Sequence, residues 1–170
     1  LTGTTSVNAG SLTLASTGVL TGTNVSVASG ATLNAQTGSQ LSNATVLTAN
    51  GVVNLSNSAV TLATLSGNGT VNLNGTALTL SNGAFSGALN DGTSAGSLVK
   101  TSAGLLTLSG NNRYTGTTNV NAGSLTLAST GTLMSTEVSV ASGATLNAQT
   151  GSQLSNATVL TANGVVNLSN

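Results

Sequence analysis

The sequence predicts an all-β fold, a single-stranded right-handed parallel β-helix (solenoid) of about nine coils with about 19 residues in each. Three observations lead there. A glycine followed by a short aliphatic strand returns at spacings of 17 to 21 residues along the whole chain. Within those strands apolar and polar residues alternate, the period of a pleated strand with one face in and one face out. No helical stripe at i, i+3, i+4 and i+7 persists, in a chain rich in Thr, Val, Gly and Asn, which are poor helix formers.

The repetition exists at two scales. Residues 1–57 reappear as residues 114–170, an offset of 113, with 51 of 57 positions identical. The six differences are Leu1/Tyr114, Ser6/Asn119, Val19/Thr132, Thr21/Met134, Gly22/Ser135 and Asn24/Glu137. The chain is read as a single continuous segment, 1–170, with one 113-residue repeat (1–113) and half of the next (114–170), as expected of an excerpt from a longer array.

Inside the unit the coil starts follow in order. Gly10 precedes Ser-Leu-Thr-Leu, Gly30 precedes Ala-Thr-Leu-Asn, Gly51 precedes Val-Val-Asn-Leu and Gly69 precedes Thr-Val-Asn-Leu. Gly87 heads the weakest member, where Leu89 stands almost alone, and Gly104, Gly123, Gly143 and Gly164 continue the series. The register slips by one residue at Gly30 and Gly143. Between these starts, Val25-Ser26-Val27, Val60-Thr61-Leu62 and Leu78-Thr79-Leu80 show the same alternation. The glycines are expected to supply positive φ at tight corners. Right-handed winding follows from the general rule for parallel crossovers. A single coil holds too few aliphatic side chains to offset the entropy of ordering it, so stability must come from coil stacking on coil. Edge strands at either end lack the charges that discourage edge pairing, so end-to-end self-association is expected of this stretch.

Composition excludes most other classes. Only 2% of residues are charged, and these are Asp91, Lys100, Arg113 and Glu137; an ordinary domain carries about a quarter. Aliphatic residues recur throughout, unlike a disordered chain. No apolar run reaches the roughly 18 to 20 residues of a membrane-spanning helix, and no signal peptide is visible at Leu1. Net charge is zero, which offers nucleic acid no basic footprint. There is no Cys for a disulfide or thiolate site and no His.

Catalysis lacks its ingredients. Asp91 and Glu137 are 46 residues apart, so they fall on different coils and form no acid–base dyad. Serines are plentiful, but a nucleophile needs a base, and Lys100 reads as a solvated turn residue. Arg113 and Tyr114 read as a surface corner, and Asp91, in Asn90-Asp91-Gly92, as a turn residue. Asn-x-Ser/Thr triplets begin at Asn24, Asn43, Asn68, Asn74 and Asn156, matches that chance supplies in a chain of this composition. No catalytic residue, metal ligand or cofactor is expected.

One row of residues remains as a candidate binding face. Aligned coil by coil, the outward polar position reads Thr13, Asn54, Asn72, Asn90, Thr107, Thr126 and Asn167, with Thr32 and Thr145 at the slipped coils. Stacked amides and hydroxyls of this kind bond along a sheet. Cohesion is the first reading of the row, and a flat face for ice or carbohydrate the second.

The stretch Gly96 to Leu127, GSLVKTSAGLLTLSGNNRYTGTTNVNAGSLTL, resembles the autotransporter-associated β-strand repeat of bacterial autotransporter passengers. Leu98, Lys100, Gly104, Leu106, Leu108, Gly110, Asn112, Tyr114, Gly116, Thr118, Val120, Gly123 and Leu125 fall on that family's pattern. Ser102 stands where the family carries Gly, and the second half of the match recurs at Thr2 to Leu14. The resemblance implies a passenger carried across the outer membrane of a Gram-negative bacterium by a C-terminal β-barrel outside this sequence. It further implies a repeat tied to secretion and to folding of the β-helix outside the cell.

The functional expectation is a rod-like stalk or adhesin segment at the cell surface, with a β-helical enzyme the least favoured alternative. Host or neighbouring-cell surface molecules, or other copies meeting through the β-helix ends, are the expected partners. No direct membrane insertion is expected of the segment.

Overall fold

A computed structural model of the protein describes residues 2–41, 43, 45–128, 130–149, 154, 155 and 158–169. Among these residues there is no helix, and all the strand pairings are parallel. The chain winds as a β-solenoid of about eight turns. Most strands bond to the strand one turn below and the strand one turn above, which satisfies backbone groups that a flat, solitary turn would leave unpaired.

Three faces build each turn. The first face runs through Thr5–Val7, Asn24–Val27, Val46–Ala49, residues 64–67, residues 82–85, Leu105–Leu108, Ser124–Leu127, Thr145–Ala148 and Val165–Leu168. Ser11–Leu14, Thr32–Ala35, Val52–Leu55, Thr70–Asn72 and Ala88–Asn90 form the second. It continues through Asn111–Asn112 and Thr132–Leu133 to a bridge at Leu154. The third stacks Val19–Leu20, Gln40–Leu41, residues 59–62, residues 77–80, Ser97–Lys100, Thr118–Val120, Glu137–Val140 and Val159–Ala162. Two nine-residue strands, Ala59–Gly67 and Ala77–Phe85, bend round the corner from third face to first without a break.

The turn is slightly longer than the sequence suggests. Down the first face the outward row is Ser6, Ser26, Thr48, Ser66, Ala84, Thr107, Thr126, Asn147 and Asn167. It crosses eight turns in 161 residues, which averages about 20 residues per turn. Counting glycines undercounts because they do not all start the same face. Gly10, Gly30, Gly51, Gly69 and Gly87 lead second-face strands, whereas Gly104, Gly123, Gly143 and Gly164 lead first-face strands.

Positive φ explains only some of these glycines. Gly10 and Gly123 need it, with φ of 64° and 65°. Gly69 and Gly87 are glycine for space instead: a Cβ on either would run into the carbonyl oxygen of the glycine one turn below, Gly51 or Gly69.

Inward positions hold the aliphatic residues. Leu33, Val53, Val71 and Leu89 are partners in one second-face column, each at most 1% exposed. Leu89, the weakest strand by sequence, is thus as deeply buried as its neighbours. Position in the stack, not local sequence, decides burial. Leu47 and Leu55 are 0% exposed, whereas their repeat mates Leu160 and Leu168 are 39% and 60% exposed on the last turn. Leu47→Ala should therefore cost about 2–5 kcal/mol and Leu160→Ala less than about 1 kcal/mol. Denaturant melts of the two variants check this; equal losses would show that the repeat mates share one environment.

Candidate functional site

The outward polar row is real, but it is two rows on two faces. On the second face Asn34 Nδ2 donates to Thr13 Oγ1 at 3.3 Å, Asn54 Nδ2 to Asn34 Oδ1 at 2.8 Å, and Asn72 Nδ2 to Asn54 Oδ1 at 2.8 Å. Asn90 stacks next to Asn72 and ends the row; its Oδ1 is buried without a hydrogen-bond partner among the described residues. On the first face Thr107 sits beside Thr126, Asn147 Nδ2 donates to Thr126 Oγ1 at 3.3 Å, and Asn167 Nδ2 to Asn147 Oδ1 at 2.7 Å.

The expected single ladder is corrected in two ways. Thr107 lies beside Ala84, not beside Asn90. At the two slipped coils the ladder residues are Asn34 and Asn147 rather than Thr32 and Thr145. Register is set by the buried leucine that stacks on its neighbours, here Leu33 and Leu146, so the ladder residue is the one that follows it. Counting from the glycine misplaced it, because Ala31 and Ala144 are extra residues tucked into the core.

Lys100 is not a solvated turn residue. It is the last residue of Ser97–Lys100 and points inward, with no exposure. Its Nζ donates to the carbonyl oxygens of Thr101 at 2.6 Å, Ser102 at 2.8 Å and Ala122 at 3.1 Å, using all three ammonium donors. Burial pushes its pKa below the ordinary lysine value. The cradle exists because Ser102 has φ of 65°, which turns the backbone carbonyls toward the ammonium. A left-handed non-glycine residue costs about 1–2 kcal/mol.

Tyr114 is likewise inside, fully buried, so only Arg113 of that pair occupies a surface corner. The Tyr114 hydroxyl lies 2.6 Å from Thr118 Oγ1, which lies 2.5 Å from Ser135 Oγ. Asn112, also buried, holds two turn-to-turn joints. Its Oδ1 accepts from Leu89 N at 3.1 Å, and its Nδ2 donates to Gly110 O and Thr132 O, both at 3.1 Å. Asp91 keeps its expected turn, with Gly92 at φ 69°, and also reaches other backbone. It accepts from Gly96 N and Thr115 N at 2.9 Å and from Thr115 Oγ1 at 2.7 Å. In two of the Asn-x-Thr triplets, those at Asn43 and Asn74, the threonines Thr45 and Thr76 are buried; Asn156 lies outside the described residues.

None of these groups forms an acid–base pair or a nucleophile–base contact. Among the described residues no three His, Cys, Asp or Glu side chains cluster as metal ligands, and no helix is long and apolar enough to cross a membrane. What the buried polar groups share is position. Lys100, Asn112, Tyr114 and Thr118 are contributed by consecutive strands and corners around a single turn, from one third-face strand to the next. Residues 98–127, which contain all four, match the family model of the passenger-associated-transport-repeat. The stretch is thus similar to an autotransporter passenger repeat. No curated protein and no solved structure matches the chain. The passenger repeat therefore spans 30 of the 170 residues, and its interior is pinned by hydrogen bonds rather than by aliphatic packing alone.

Two measurements probe the passenger repeat. Ser102→Gly should raise stability by about 0.5–1 kcal/mol, since glycine adopts this φ without penalty but loses more backbone entropy. An unchanged or lower melting temperature would show that Ser102 is unstrained. The second uses the single tyrosine, Tyr114, whose pKa burial pushes up to about 12. The fold favours the neutral phenol, so its contribution is intact below the ordinary value near 10 and is lost as pH rises toward about 12. Phenolate absorbance should titrate late in the native protein and near pH 10 in denaturant; superimposed titrations would place the ring in water.

Proposed function

We propose that this segment is a length of rod-like stalk from a bacterial autotransporter passenger, displayed outside the cell, where it contributes to adhesion by reach and repetition rather than by catalysis. The observation that carries the reading is the passenger repeat lying within an uninterrupted parallel stack of about eight turns. At about 4.8 Å per turn such a stack is roughly 40 Å long. Export by a C-terminal β-barrel elsewhere in the parent protein, and contact with host or neighbouring-cell surface molecules, belong to the same reading.

The polar rows support cohesion over ligand capture. Their amides bond to one another from turn to turn, so part of their hydrogen-bonding capacity is spent within the rod. Contact between copies through the β-helix ends belongs to the same reading.

The test is deletion of one 113-residue unit from the parent passenger on the cell surface. Display should persist while the rod shortens by about 27 Å, the rise of 113 residues at about 20 per turn. Loss of all display would remove the spacer reading. Full adhesion by a passenger lacking every unit would remove the adhesive one.

A further inference from the structure

The two polar rows differ in face because the sequence repeat and the structural turn do not keep step. Thr5–Val7 lies on the first face, but its repeat mate Thr118–Val120 lies on the third. Ser11–Leu14 lies on the second, and its mate Ser124–Leu127 on the first. Val19–Leu20 lies on the third, and its mate Thr132–Leu133 on the second. All three comparisons give the same displacement, one face back. The offset of 113 residues is therefore five turns and two faces, or five and two-thirds turns.

We infer that tandem copies of the 113-residue unit follow one another by this screw, so each copy carries its Asn/Thr row on the face next to the one its predecessor used. The fold permits this because each face asks the same of a strand: inward aliphatic residues flanking an outward polar one. Ser-Leu-Thr-Leu meets that demand on the second face as Ser11–Leu14 and on the first as Ser124–Leu127. Three copies, 339 residues and 17 turns, bring the row back to its starting face. At about 4.8 Å per turn, that return takes roughly 80 Å of rod.

This sets the interaction surface of an array. A row runs straight for only four or five turns before it ends, as at Asn90, and resumes on another side, as at Thr107. An extended flat lattice such as an ice plane then engages one copy in three. A surface that approaches from any side meets a row within three copies. The number of copies also sets the angular position of whatever follows the array, since adding or removing one turns it by a face.

The chain has no cysteine, so engineered pairs report the phase directly. In the whole 170-residue chain, Ala84→Cys with Thr107→Cys should be joined by a short thiol cross-linker as efficiently as the reference pair Thr13→Cys with Asn34→Cys. Asn90→Cys with Thr107→Cys should give no intramolecular product. Joining of the Asn90/Thr107 pair, or failure of the Ala84/Thr107 pair while the reference pair is joined, overturns the screw. Far-UV circular dichroism of each variant confirms that the fold is kept, and Val99→Cys with Asn119→Cys, third-face partners although Asn119 is the repeat mate of first-face Ser6, serves if a variant does not fold.

Discussion

The solenoid depends on strand-to-strand backbone hydrogen bonds, all of which run between turns. A parallel strand has no partner within its own turn, so its N–H and C=O groups are satisfied by the turns below and above or by water. Each turn is thus built against the one before it, and the vertical register of one column propagates to every other. This is why corners such as Gly69 and Gly87 are kept free of a Cβ that would push adjacent turns apart.

Where turns change in character, side chains take over the same duty. The second face narrows at Asn111–Asn112, and the inward amide of Asn112 bonds to Leu89 N on one side and Thr132 O on the other. Lys100 gathers carbonyls from its own corner and from Ala122 one turn on. These bonds are worth making only because the groups are buried; a carbonyl left alone there costs about 1–3 kcal/mol. The passenger repeat is where the stack relies most on such stitching, and where composition is least like the surrounding coils.

The alternation of Leu12-Thr13-Leu14 or Leu78-Thr79-Leu80 settles which way each side chain points, and the return of glycine settles that strands stack. Both are local or periodic signals, and the structure keeps both. Face assignment is neither, because the three faces ask the same pattern of a strand. The burial of Lys100 and Tyr114 is also hidden: Thr101, Ser102 and Thr118 are near neighbours, but Ala122 and Ser135, which complete the two networks, come from the next turn. One trace was legible. Leu1/Tyr114 and Gly22/Ser135 are two of only six differences between the copies. Tyr114 and Ser135 bring in two hydroxyls that Leu1 and Gly22 lack, and both bond to Thr118.

The Asn rows have a direction as well as a position. Asn34, Asn54, Asn72, Asn147 and Asn167 all donate toward the turn that precedes them. Their amide dipoles therefore add head to tail, and neighbours in such a chain polarise one another. Each row thus has a sense despite the zero net charge of the chain, with amide N–H groups facing its N-terminal end and amide oxygens facing its C-terminal end. An acidic group is better tolerated beside the former and a basic one beside the latter, as at the two termini of an α-helix.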